Sequence, residues 1–435
     1  MYGLYGALLR LVWAVVIPYQ FVIGLVTGHP GPRLGERLVR GPDPRAHGPN
    51  GLWVHAVSVG EVRLALTVIA AIRRRWPGGP VHLTTGTETG RALALETAGR
   101  AAAGAPDGVS ALPLDLPGPM GRLIDRLRPR AILVIETEIW PNLIRRAAAH
   151  GVPVVIVNGR LAPRTFPRYR VARRLFAPAL ARVGLVAAQT REDADRFRAL
   201  GAPKERVLVT GNLKFDLPVP RADGEAVRRR LGFPPGATVL VAGSTARAEA
   251  APVLAAYAAL AAVDSGARLV LAPRHPEDVA PAAAALEARA IAWRRWSALD
   301  GTAAGDWSAV LVDVMGVLPE IYAAASLAFV GGSLVPRGGQ NLLEPAALGC
   351  PVLFGPRLDN VRAAAAALLA AGGGFRADDG AGLTALVLRL AADPAARREA
   401  GARARSVVDR ERGALERTLD AAAALLGPAP ARDGR

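Results

Sequence analysis

Cysteine is almost missing from this 435-residue chain: Cys350 stands alone, which excludes an internal disulfide and a thiolate zinc cluster. Histidine is scarce too. The six present (29, 47, 55, 82, 150 and 275) are scattered, so no ligand spacing supports a metal site, and no metal or other cofactor is expected. Lysine occurs only as Lys204 and Lys214, so the formal net charge of +17 is carried by arginine. That bias fits a GC-rich genome, and it also leaves a basic surface suited to nucleic acid, phospholipid or a phosphorylated substrate. No zinc finger, RNP signature or long basic helix is present, so nucleic acid is not an expected partner. Long apolar runs are lacking as well, with one exception.

That exception is LVWAVVIPYQFVIGLVT at residues 11–27, free of charge and carrying Trp13, Tyr19 and Phe21, aromatics that suit a membrane interface. Seventeen residues is the short end for a spanning helix, and Pro18 and Gln20 weaken it further. A cleaved signal peptide is disfavoured because no small-residue cleavage motif follows. Arg33, Arg37, Arg40 and Arg45 follow the segment while only Arg10 precedes it, which puts the rest of the chain in the cytoplasm. Residues 1–28 therefore read as a membrane anchor, spanning or monotopic, with a buried core helix as the alternative.

Beyond the anchor, short apolar runs at 52–57, 81–84, 111–114, 131–135, 152–157, 185–188 and 206–210 alternate with helical stretches, the pattern of buried parallel strands. Runs at 238–242, 268–272, 309–312, 327–330 and 351–354 repeat the plan, followed by a helical stretch to about residue 426. The expected organisation is α/β: an N-terminal lobe at 29–214, a linker rich in Pro, Gly and charge at 215–236, a C-terminal lobe at 237–426, and a disordered tail at 427–435. Two doubly wound, Rossmann-like lobes facing a cleft, with ligands at the strand carboxyl ends, form the GT-B glycosyltransferase layout.

The chemistry should sit in loops at those strand ends. Residues 330–349, VGGSLVPRGGQNLLEPAALG, run from a strand through Gly331, Gly332, Gly338 and Gly339 into a helix opening at Asn341, with Glu344 one turn in. Glycines admit close backbone approach, the first amides of a helix face an anion, and Glu344 can reach a ribose hydroxyl. By spacing alone, Asn341 to Glu344 reads first as a capping box, and so does Ser58 to Glu61 in HAVSVGEV at 55–62. A carboxylate at Glu61 is expected to be kept ionised by the helix terminus and to accept a proton from a hydroxyl. TTGTETG at 84–90 offers an anion hydroxyls and amides, or is simply a Thr-rich turn. ETEIWPN at 136–142 sets two carboxylates beside Trp140 and should raise one pKa. APRHPE at 272–277 leaves Arg274 free to grip phosphate. Six arginines (160, 164, 168, 170, 173 and 174) fall within fifteen residues, interleaved with Phe166, Tyr169 and Phe176.

Taken in order, HAVSVGEV, TTGTETG, ETEIWPNLI, NGRL, AAQTREDADRFRALGA, TGNLKFD, AGST, APRHPE and FVGGSLVPRGGQNLLEPAALGCPVLFGP resemble one family, the Kdo transferases of lipopolysaccharide assembly. The resemblance implies an inverting GT-B enzyme that moves 3-deoxy-D-manno-oct-2-ulosonic acid (Kdo) from CMP-Kdo to a lipid A precursor at the cytoplasmic face of the inner membrane. It makes Glu61 the general base and requires no metal. It places CMP on Pro273 and Arg274, on the Met315-Gly316-Val317 turn, and on Asn341, Leu342, Leu343 and Glu344. The basic cluster at Arg160, Arg164, Arg168, Arg170 and Arg173, with the anchor, is expected to hold the acceptor's phosphates and acyl chains beside inner-membrane phospholipid.

This chain departs from the family pattern in four places. Ala246 stands where a histidine is usual, Val317 replaces a glutamate, Gln340 a histidine and Val361 an aromatic, while Glu249 keeps its acidic position. Two other readings stand beside this one: an envelope GT-B enzyme using a different CMP- or UDP-sugar, and a catalytically silent, membrane-bound polyanion-binding protein.

Overall fold

The computed structural model describes residues 2–27, 34–40, 50–100, 104–218, 222–299 and 305–426, of which 20–27 as backbone only. The expected disordered tail, residues 219–221 of the expected linker, His29, His47, and Arg33 and Arg45 of the basic flank lie outside them. Two compact units result: Met1–Leu217 with Arg412–Arg435, and Pro218–Glu411.

The first unit is built on a parallel sheet of β1 (Leu52–Ala56), β2 (Val81–Thr85), β3 (Gly108–Ala111), β4 (Ala131–Ile135), β5 (Val154–Gly159), β6 (Leu185–Ala188) and β7 (Val207–Val209), in the order β3-β2-β1-β4-β5-β6-β7. Side chains alternate across it, as a period of two requires. Trp53, Ile132, Val134 and Ile156 feed one hydrophobic cluster, Leu52, Val54, Leu133 and Val155 the other. Both faces are covered, which is why these strands read as unbroken apolar runs. The helix Val59–Arg75 buries Val62, Ala65, Val68, Ile69 and Ile72 against the second cluster, the stripe of an amphipathic helix.

The second unit repeats the design with β8 (Val239–Thr245), β9 (Arg268–Pro273), β10 (Trp293–Arg295), β11 (Ala309–Leu311), β12 (Leu327–Val330), β13 (Val352–Phe354) and β14 (Gly374–Arg376), in the order β10-β11-β9-β8-β12-β13-β14. All pairings in both sheets are parallel. Each sheet reverses its winding once, between β1 and β4 and between β8 and β12. Those are the switch points where such sheets bind ligands.

The second unit does not run to residue 426. The helix Ala414–Leu426 returns to the first unit, where Leu415, Leu419, Ala422 and Leu426 join the cluster beside β1 and β2. Asp216 fixes the return by accepting from the amides of Gly413 and Leu415, both at 2.7 Å. The linker is shorter than 215–236, because Gly224–Arg230 already forms a helix of the second unit whose Val227 is buried there. The third strand is Gly108–Ala111 rather than 111–114, since its partner β2 ends at Thr85, opposite Ala111. The apolar run continues past the ladder because Leu112 and Leu114 are buried under the sheet edge.

Candidate active site

Glu61 lies in the first turn after β1, at the switch point of the first sheet. Ser58 caps the helix in extended conformation, and the glutamate carboxylate turns back on the same loop. Its Oε2 accepts from the Val57 amide at 2.7 Å and its Oε1 from the Ser58 hydroxyl at 3.1 Å, so Ser58 caps the helix and the return bond, to the residue before the cap, pins the carboxylate. Burial pushes the Glu61 pKa up, the hydrogen bonds from Val57 and Ser58 oppose this, and the charge of Glu136 adds to it.

The loop after β4 supplies the other acids. Glu138 is pushed up to about 7, chiefly by burial and then by the charge of Glu61. This fulfils the expectation of one raised pKa, with burial rather than the neighbouring acid as the main cause. Glu136, at φ 62°, makes the sharp exit from β4 and pairs with Lys214 Nζ at 2.8 Å. Lys214, the last residue of the expected N-terminal lobe, is folded inward. Asn158 accepts from the Leu213 amide and Asn212 from the Lys214 amide, so the 3-10 turn Leu213–Asp216 is tied down on both sides. His55, wholly buried with Nδ1 3.0 Å from Thr84 Oγ1, is pushed down to about 4 by desolvation and stays neutral. Its ring meets Trp140 edge to face at 6.4 Å.

The Thr-rich loop is mainly structural. Thr87 caps the helix Glu88–Gly99 and donates to Val57 O, and Gly86 lies so close that a Cβ would meet Val57 Cγ1 at 2.6 Å. It therefore buttresses the turn that carries Glu61. The arginine cluster adjoins the acids as well, since Thr137 Oγ1 donates to Arg160 O and the charge of Glu138 raises the pKa of Tyr169, after burial. Arg168 and Arg170 project from the helix Phe166–Val171 and Arg173 begins the next one, all three exposed, as is Arg164 before them.

In the second unit the expected donor residues gather at three strand ends. Pro273 closes β9 and Arg274 follows, its amide donating to Thr245 O. Met315, Gly316 (φ 91°) and Val317 form the turn after β11, with Met315 well exposed. After β12 comes the glycine loop. The helix behind it opens at Leu343, not Asn341, and has only five residues. Asn341 Oδ1 still accepts from the Leu343 amide and its Nδ2 donates to Glu344, while the side chains of Leu342 and Leu343 are buried.

Glu249 holds this loop, a role that was not legible in the sequence. It is fully buried, and its carboxylate accepts from the amides of Ala246 and Gly332 on Oε2 and of Ser333 and Leu334 on Oε1, at 2.6–2.9 Å. Gly331 approaches so closely that a Cβ would meet Thr245 Cα at 2.5 Å. Among the described residues, no three His, Cys, Asp or Glu side chains gather as a metal site would need.

Two parallel seven-stranded sheets, each with its candidate loops at a switch point, make up the GT-B fold. The Anabaena protein Alr3699/HepE, solved in complex with UDP, shares this fold with a TM-score of 0.56 at 14% identity, over 86% of this chain and 99% of that one. A UDP-N-acetylglucosamine 2-epimerase matches with a TM-score of 0.54 at 15% identity, over 82% and 91%. The family model for 3-deoxy-D-manno-octulosonic-acid transferase (kdotransferase) matches residues 32–217. The 3-deoxy-D-manno-octulosonic acid transferase of Bordetella pertussis is 38% identical over 91% of both chains, and that of Haemophilus influenzae 31% over 96% of both. The chain belongs to the 3-deoxy-D-manno-octulosonic acid transferase family.

Proposed function

We propose that this enzyme transfers Kdo from CMP-Kdo to a tetra-acylated lipid A precursor (lipid IVA), with inversion, at the cytoplasmic side of the bacterial inner membrane. The observation that carries the reading is Glu61: a carboxylate at the switch point, oriented by Val57 and Ser58 and made more basic by burial. A base works best when its pKa approaches the working pH, and a raised carboxylate moves in that direction. Glu61 takes the proton from the acceptor hydroxyl as its oxygen attacks the anomeric carbon of Kdo. The bond to CMP breaks with its electron pair on the departing phosphate.

Pro273, Arg274, the 315–317 turn and residues 341–344 bind CMP in this scheme, Arg274 by its planar fork to phosphate. Arg160, Arg164, Arg168, Arg170 and Arg173 bind the acceptor's phosphates. No step is routed through a metal ion or cofactor, so a chelator should leave the rate unchanged.

The test is mass spectrometry of lipid IVA after incubation with purified enzyme and CMP-Kdo generated in situ, for wild type and Glu61→Ala. Addition of one or more Kdo units by wild type alone supports donor, acceptor and base together. Addition by both would remove Glu61 from the role of base, and addition by neither would sink the donor assignment.

A further inference from the structure

The helix Tyr2–Thr27 is long enough to cross a bilayer, but its contacts deny it the room. Its first turn is clamped to the first unit: Tyr2 donates to Leu175 O at 2.9 Å, and the Arg145 guanidinium lies 3.8 Å from the centre of its ring. Tyr5 donates to Asp115 Oδ2 at 2.8 Å, on the carboxylate that also accepts the amides of Asn142 and Leu143. Eleven residues beyond Tyr2, the Trp13 ring lies under the Arg37 guanidinium at 5.8 Å. Arg37 belongs to a segment fastened to the same unit, since Arg37 O accepts from the Leu114 amide and Leu38 O from Arg122.

Residues 2–13 thus run along the protein for roughly 16 Å at 1.5 Å per residue. The fourteen that remain, 14–27, extend only about 21 Å, short of the ~30 Å hydrocarbon core.

The side chains sort into faces that fit a helix lying flat. Tyr2, Tyr5, Gly6, Leu9, Trp13, Val16 and Ile17 have reduced exposure and recur at helical spacing, forming the covered face. A second face carries Leu4, Leu8, Leu11, Val12, Val15 and Tyr19, all open, with Leu4 74% and Leu11 65% exposed. Where Tyr2 docks, the segment around Leu175 presents exposed Arg168, Arg170, Arg174 and Val171, and Arg10 is exposed on the helix itself. An aliphatic stripe beside several arginines matches an anionic lipid surface. A second copy of this chain would set arginine against arginine.

We propose that this helix is an in-plane anchor: it lies in the interface of an anionic bilayer with the Leu4, Leu8, Leu11, Val15 and Tyr19 stripe immersed, and it does not cross. The inference rests on the membrane placement proposed above and adds its topology. It also sets the arginine-bearing helix Phe166–Val171 at headgroup level, where a lipid acceptor presents its phosphates.

The test uses the full-length enzyme with single cysteines, Leu4→Cys, Leu8→Cys, Leu11→Cys, Val15→Cys and Tyr19→Cys, each spin-labelled. Cys350 is buried and need not be replaced. Immersion depth is measured from oxygen and nickel accessibility in vesicles of phosphatidylethanolamine with phosphatidylglycerol. All five labels should sit at one shallow depth, about 5–10 Å below the headgroups. A depth that grows steadily from residue 4 toward residue 19 would overturn the in-plane assignment and leave the membrane placement standing. Labels with no lipid immersion at any position would overturn both. Spin–spin broadening between labels without immersion would assign the stripe to a second copy instead.

Discussion

Replacing Glu249 with glutamine tests how the glycine loop after β12 is held. Each carboxylate oxygen accepts two backbone amides, Ala246 and Gly332 on one, Ser333 and Leu334 on the other. An amide side chain has one acceptor oxygen, so whichever way it is turned, two buried N–H groups point at an NH2 group. An orphaned buried donor costs about 1–3 kcal/mol, and the two bonds that survive lose their charge assistance. The expected loss is therefore roughly 3–5 kcal/mol after the loop relaxes, the size seen when a buried charge network is broken.

At about 1.4 kcal/mol per tenfold, local opening of residues 331–334 should rise by a factor of 100 or more. Hydrogen exchange read by mass spectrometry on a peptide spanning 329–342 reports that factor directly, and calorimetry should show CMP binding weakened at least tenfold. Unchanged protection together with unchanged CMP affinity would refute the claim that this carboxylate organises the loop.

The acids of the first unit make a pH prediction. Glu138 is raised from 4.5 to about 7 in the folded state, so the native protein binds the extra proton and its stability falls as pH rises through that window. Glu138→Gln should accordingly stabilise the protein above pH 7 and have little effect below pH 4.5, as read from melting temperature against pH. Glu136→Gln removes the negative charge that adds to the rise of Glu61, so the acid limb of kcat/KM should move to lower pH; an unmoved limb would mean that Glu61 does not govern it. Reversing Arg168, Arg170 and Arg173 to glutamate should raise acceptor KM about tenfold or more while CMP inhibition stays constant, and unaltered acceptor kinetics would count against these residues. Ending the chain after Glu411 strips Leu415, Leu419 and Leu426 from the first core, at about 1.5–3 kcal/mol each. That sum rivals the net stability of a domain, so the truncated protein should lose cooperative unfolding of its first unit, and a wild-type melt would refute this.

Much of the fold was legible because its central strands are buried on both faces. The runs at 131–135, 185–188 and 327–330 coincide with β4, β6 and β12. The two strands that were missed, β10 and β14, are three-residue edges containing arginine. They pair on one side only and need no apolar run. What could not be read is what depends on distant partners. Helical periodicity identifies Ala414–Leu426 as a helix but does not say which core it joins, because the bonds from Gly413 and Leu415 to Asp216 cross about two hundred residues. Glu249 was visible as an acidic position, while three of its four amides lie 83–85 residues away. The expected linker begins at residue 215, inside the turn Leu213–Asp216, because nothing local shows that Asn158, more than fifty residues earlier, holds that turn.

For Glu61, spacing alone could not separate a capping residue from a base, and the structure shows that the capping geometry is present. Capping by itself predicts a lowered pKa, because helix-terminal amides favour the ionised form. Glu192 supplies the comparison within this protein: it also lies in the first turn of a helix capped by a hydroxyl residue, Thr190. Glu192 is fully exposed, and its pKa is lowered by hydrogen bonds from its own backbone amide and from Thr190. Glu61 also accepts hydrogen bonds, from Val57 and Ser58, yet its pKa is raised, because burial outweighs them and the charge of Glu136 adds to it. A cap needs neither burial nor a neighbouring acid. A base needs its carboxylate held in one orientation, and the capping bonds do that while occupying about two of its four lone-pair sites. The two readings of Ser58 to Glu61 are therefore compatible: the cap aims the carboxylate and burial raises its affinity for a proton, which is what the proposed base would need.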